Sequence, residues 1–167
     1  MPTGPAARVG DNVVHPLPPM LGPGPGSMNV MIGMRPAWRG IPLAAAAGLQ
    51  AAKAVSDTTI KVAEAATMAA AGTPGAPVAK AAEEATKAAA AAAMGSMISG
   101  LAGGMSDIHM CATPLPIPPH GPGVVIDGSA TVLINNMPAC RLGDTIVEAV
   151  GPPNKIVMGE MTVIIGG

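Results

Sequence analysis

Residues 26–39 and 128–141 are two copies of one unit. Gly26-Ser27-Met28-Asn29-Val30-Met31-Ile32-Gly33-Met34-Arg35-Pro36-Ala37-Trp38-Arg39 aligns without gaps on Gly128-Ser129-Ala130-Thr131-Val132-Leu133-Ile134-Asn135-Asn136-Met137-Pro138-Ala139-Cys140-Arg141, with seven of fourteen positions identical. A third copy begins at Gly159-Glu160-Met161-Thr162-Val163-Ile164-Ile165 and runs out at Gly167. Its missing end stands at the other terminus, as Pro5-Ala6-Ala7-Arg8-Val9-Gly10-Asp11. A unit divided between the termini is completed only if the termini meet, so the pattern predicts a closed ring. Three copies in one ring predict a pseudo-threefold axis.

Each unit reads as a short strand of alternating apolar residues, a Gly or Asn turn, then Pro-Ala-x-Arg leading into a second strand. The small Ala allows chains to approach closely near a common axis. The Arg stands three residues before an aspartate in Arg8/Asp11 and Arg141/Asp144. That spacing serves either an ion pair or a turn organised by the two residues separately.

Between the repeats, residues 43–105 change character and are dominated by Ala, the best helix former. Leu43 to Ala71 contains no Pro and only Gly48, and Lys53, Asp57 and Lys61 follow one another at intervals of four on one face. Gly72-Thr73-Pro74-Gly75-Ala76-Pro77 breaks the helix. A second helix then carries Lys80–Glu84 and Glu83–Lys87. Two helices and a short loop predict an antiparallel hairpin, thin and protruding because Ala contacts bury little area. Ala88 to Met105 is uncharged and holds Gly95, Ser99 and Gly103 at the spacing of packed membrane helices. Its Ala and Gly gain little from lipid, which favours the water-exposed hairpin over a membrane span.

The expected architecture is therefore α+β: a small pseudo-threefold β-rich cone, residues 1–42 and 106–167, interrupted by an inserted antiparallel α-helical hairpin, residues 43–105. Such a cone has little to bury. Phe and Tyr are absent and Trp38 is the only aromatic residue, although aromatics ordinarily supply much of a core's area. Small cores of this kind rely on a metal, a disulfide or a partner. With a net charge of -1 and few scattered Lys and Arg, the chain lacks the basic footprint of a nucleic-acid binder. Two cysteines do not make a disulfide framework. No basic segment followed by an apolar run marks a Sec leader, and cytosolic synthesis would keep the thiols reduced.

Pro5-Ala6-Ala7-Arg8 spells the motif that names the PAAR family. Pro138-Ala139-Cys140-Arg141 is a near copy and Pro36-Ala37-Trp38-Arg39 a degenerate one. Over the outer two thirds of its length the chain thus resembles PAAR-repeat proteins. The resemblance implies a three-sided cone whose blunt base sits on the trimeric valine-glycine-repeat (VgrG) spike protein of a type VI secretion system, with a metal near the apex. It implies a protein that sharpens the spike and attaches effectors, made in the bacterial cytoplasm and exported without a signal peptide. The Ala-rich hairpin lies outside the resemblance; an effector, adaptor or chaperone is its expected partner. A membrane-inserting or pore-forming tip is the alternative, with membrane contact only during delivery.

The ligand candidates fall where this cone wants them. His109 and Cys111, two apart on a strand, point to one face. A Pro-rich run, Thr113 to Pro119, delivers His120, and His15 comes from the N-terminal copy. Four residues past the aspartates lie His15 from Asp11, Cys111 from Asp107 and Glu148 from Asp144, so the symmetry brings those positions together. His15, His109, Cys111 and His120 make a closed set for one structural zinc ion, with Glu148 able to replace a ligand or support one. Cys140 fills the second Ala position of its motif and reads as a small buried residue; a Cys111–Cys140 disulfide is the rival. Four protein ligands leave no open coordination position for a zinc hydrolase. With no nucleophile elbow, His-Glu-x-x-His or phosphate loop in the sequence, the chain reads as structural and not as an enzyme.

Overall fold

The structure is a computed structural model that describes residues 3–14, 20–111 and 120–167. In chain order the elements are β1 (Gly4–Ala6), β2 (Pro23–Gly24), β3 (Met31–Ile32), β4 (Arg35–Pro36), α1 (Leu43–Ala70), α2 (Ala76–Ala102), β5 (Ile108–Cys111), β6 (Gly121–Val125), β7 (Leu133–Ile134), β8 (Met137–Pro138), β9 (Thr145–Glu148), β10 (Asn154–Lys155) and β11 (Glu160–Ile165). The fold is α+β, as expected.

The ring closes through the termini. β1 pairs antiparallel with β11, setting Pro5 against Ile164 and Gly4 against Ile165. The two uncut repeats form hairpins in the same register, β3 on β4 with Met31 against Pro36, and β7 on β8 with Leu133 against Pro138. The cut repeat therefore builds from both ends of the chain the hairpin that its sisters build locally. The turns also agree: Gly33 and Met34, like Asn135 and Asn136, all have positive φ, as a two-residue turn matching the strand twist requires.

Backbone hydrogen bonds run once around the axis. The Ala7 N–H donates to the Cys140 carbonyl, Cys140 to Trp38 and Trp38 to Ala7, at 2.9, 3.0 and 2.9 Å. A second circuit joins Val9 to Pro36, Gly40 to Pro138 and Leu142 to Pro5. The core follows the same order. Ala6, Ala37 and Ala139 pack with Ile32, Ile134 and Ile165, one pair from each repeat. Ala7, Trp38 and Cys140, the next motif position, pack in a neighbouring cluster with Val13, Leu21, Val125, Ile146 and Ile156.

Each motif arginine meets an aspartate with both its backbone N–H and its guanidinium. Arg8 pairs with Asp11 and Arg141 with Asp144, so the three-residue spacing serves an ion pair. The third pair, Arg39 with Asp107, spans 68 residues because both helices lie between its members. The hairpin thus enters at the point where the other repeats read Arg-x-Gly-Asp.

The hairpin is seated more firmly than its Ala content suggests. Ala46 and Leu49 of α1 and Met94, Ile98 and Ala102 of α2 join Val124, Ile126, Val147 and Ala149 of the sheet in one cluster. The sequence supplies these larger residues only near the root, so the outer part protrudes: between Ile60 and Glu83 no residue is buried. α2 stops where Gly103 adopts φ 53° and returns its N–H to Ser99. No helix among the described residues is long and apolar enough to cross a membrane.

Charge holds the outer helices together. Lys87 bridges Glu64 of α1, at 2.7 Å, and Glu83 of its own helix, at 2.6 Å; Lys80 also reaches Glu83, at 3.0 Å. Lys87 first, then Lys80 and Thr67, hold the Glu83 carboxyl down to about 2, from an ordinary 4.5. A depressed carboxyl contributes stability above its unfolded value and loses it as pH falls through the folded one. The stability gap between wild type and Glu83→Gln, measured by helical circular dichroism during denaturation, should therefore be open at pH 7. It should narrow between pH 4.5 and about 2; a gap unchanged over that window would contradict the pairing.

Candidate metal centre

A five-stranded antiparallel sheet, in the order β10-β9-β6-β5-β2, carries the site. Register decides which side chains meet. His109 on β5 and Glu148 on β9 both lie opposite Gly123 of the intervening β6. Residues in one row of a sheet share a face, and Gly123 contributes no side chain to that row. A Cβ placed there would stand 2.8 Å from Cγ of Glu148 and 2.9 Å from Cγ2 of Ile146. The missing side chain lets His109 and Glu148 reach each other across a whole strand, with Nε2 and Oε1 3.5 Å apart.

Cys111 lies one alternation along β5 from His109, opposite Gly121, and both side chains are buried while Met110 between them faces out. His120 enters at the start of β6, where its carbonyl accepts the Val150 N–H. Its Nδ1 lies 2.7 Å from Oε2 of Glu148. The other carboxylate oxygen of Glu148 accepts from Nδ2 of Asn154, at 3.0 Å. Ligand atoms of Cys111, His120 and Glu148 all lie within 4.8 Å of one another.

This donor set suits a metal. A thiol, an imidazole and a carboxylate converge, with the His109 imidazole beside the carboxylate, where Glu148 is 0% and His109 2% exposed, and sulfur with nitrogen and oxygen donors is what tetrahedral zinc takes. The resemblance implies a metal near the apex, and the residues present fit one.

Of the four ligands expected from sequence, Cys111 and His120 come together here with Glu148, and His109 lies on the other side of that carboxylate, its Nε2 3.5 Å from Oε1. His15 lies outside the described residues. The symmetry count was informative, since it places Cys111 and Glu148 at equivalent positions four beyond Asp107 and Asp144, and the two meet. Cys140 is elsewhere, fully buried among apolar groups, and burial holds its thiol well above its ordinary value. Cys111 and Cys140 form no disulfide with each other, so the disulfide alternative falls. Gly123 and Asn154 escaped the sequence reading, Gly121-Pro122-Gly123 reading as a turn and not as the start of a strand.

The family model for the PAAR motif matches residues 117–167, which include Pro138-Ala139-Cys140-Arg141. Residues 117–167 thus carry the PAAR motif. The match takes in His120 and Glu148 and the whole second repeat, and the circuits of hydrogen bonds join residues 3–14 and 26–39 to that repeat. No curated protein and no solved structure matches the chain.

Proposed function

We propose that this protein is a structural spike tip that caps the trimeric VgrG spike of a type VI secretion system, sharpening it and helping to attach or deliver effectors. The observation that carries the reading is a threefold set of exposed apolar residues. Met31, Leu133 and Ile164 occupy the same position in the three repeats and are 56%, 55% and 60% exposed. Each alternates with an isoleucine of the axial cluster, Ile32, Ile134 or Ile165. A single chain thereby offers one similar contact to each subunit of a threefold partner.

In this reading one structural zinc holds the other end of the cone, through His109, Cys111 and His120, with His15 as the fourth ligand expected from the sequence. The protein assembles in the bacterial cytoplasm and leaves with the spike. The outer hairpin, projecting from the cone, is the part available to an effector, adaptor or chaperone. No reaction is assigned to it.

Docking tests the reading. Met31→Asp, Leu133→Asp and Ile164→Asp alter exposed positions and should leave folding nearly unchanged. Each should weaken binding to the purified spike trimer by about tenfold or more, since a charge is forced into an apolar contact. Val55→Asp, on the exposed side of the hairpin, should bind as wild type does. Equal affinity for all four variants would remove the proposed docking surface.

A further inference from the structure

We propose that Glu148 is itself a direct ligand of the metal, beside Cys111 and His120, and not only a group that orients His120. The inference rests on the metal reading above and deepens it.

Three observations lead there independently. The first is symmetry. Glu148 stands four residues beyond Asp144 as Cys111 stands four beyond Asp107, and both aspartates make the same contacts with their motif arginines. The operation that places the Cys111 sulfur near the axis places the Glu148 carboxylate there too. The second is the row through Gly123. A carboxylate needed only to orient His120 would reach that ring alone, whereas Glu148 also faces His109 across β6, in space that only glycine leaves.

The third is charge. A thiolate and a carboxylate are acidic groups, and here their ligand atoms lie within 4.8 Å in a buried site. Burying two such groups this close without a cation is costly. A divalent ion between them removes that penalty. Asn154 then keeps its place by donating to Oε1, the supporting contact that ligating carboxylates commonly have.

The test uses the intact chain, reconstituted with zinc or with cadmium. Glu148→Gln keeps the shape and one acceptor oxygen but is a poor ligand, and should lower zinc affinity by at least about tenfold. Because losing a carboxylate that merely orients His120 would have a similar effect, Glu148→His separates the two roles. An imidazole can replace a ligand but cannot accept the His120 N–H as a carboxylate does. Glu148→His should recover zinc binding, and its cadmium-113 resonance should move away from that of wild type as an oxygen donor becomes nitrogen. The proposal is overturned if Glu148→Gln binds as tightly as wild type, or if Glu148→His is no better than Glu148→Gln or leaves the cadmium resonance in place. A wild-type protein that takes up no metal sinks the metal reading itself, a different outcome from metal bound without Glu148.

Discussion

Cys111→Ala should lose its zinc and, with it, the folded metal-bearing end of the cone. The expectation follows from how little else holds that end. β2 and β10 are two residues long, β5 and β9 four, and the neighbouring apolar cluster contains Trp38 as its only aromatic residue. Structural zinc contributes on the order of 10–16 kcal/mol where binding and folding are one event. A typical domain is stable by only about 5–15 kcal/mol. Removing the thiolate therefore withdraws a contribution comparable to the whole margin. Elemental analysis of the purified variant, with thermal melting beside it, checks both halves. One zinc per chain in wild type, none in the variant and a collapse of the melting transition are expected. Unchanged zinc content and melting would refute it.

How far the sequence announced this can be judged residue by residue. The ring was legible because repetition is a property of order along the chain: Pro5 against Ile164 follows from Met31 against Pro36 once the copies are aligned. His109 and Cys111 were legible because a period of two fixes a face. The convergence of Glu148 on Cys111 was visible only as a count from two aspartates, since pairing across β6 depends on register and no local signal sets register. Gly123 shows the limit most clearly. Its importance lies in a side chain that is absent, and among 22 glycines nothing local singles it out. The seating of the hairpin was underestimated for a related reason: the few larger residues at its root do not dominate an average taken over so many alanines. Arg39 and Asp107 were hidden by distance, their spacing having been opened by the insertion.

That last pair yields the second large effect. Asp107→Ala should cost about 3–5 kcal/mol, the range for removing one partner of a buried ion pair. Asp107 is fully buried and accepts four hydrogen bonds: from the Gly26 N–H at 2.7 Å, the Arg39 N–H at 2.7 Å, and Nε and Nη2 of Arg39 at 3.1 and 2.9 Å. The substitution strands two backbone donors and a guanidinium that is itself buried, and the remaining partners of Arg39, the Gly26 carbonyl at 2.9 Å and Asn135 at 3.4 Å, carry no charge. Denaturant unfolding of the metal-loaded protein gives the measurement. Asp107→Asn is the informative companion, because it keeps an acceptor oxygen for one of the two backbone donors while removing the charge, and should fall between wild type and Asp107→Ala. Arg35→Ala is the control: Arg35 is half exposed and 3.4 Å from Asp11, and a pair of that kind is worth at most about 1 kcal/mol. A loss below that control's for Asp107→Ala would mean that the clasp at the root of the hairpin does not hold the third repeat in the ring. The expected order, with Asp107→Ala far the worse, follows because this pair alone must join two segments separated by the whole hairpin, where the other two repeats need only close a turn.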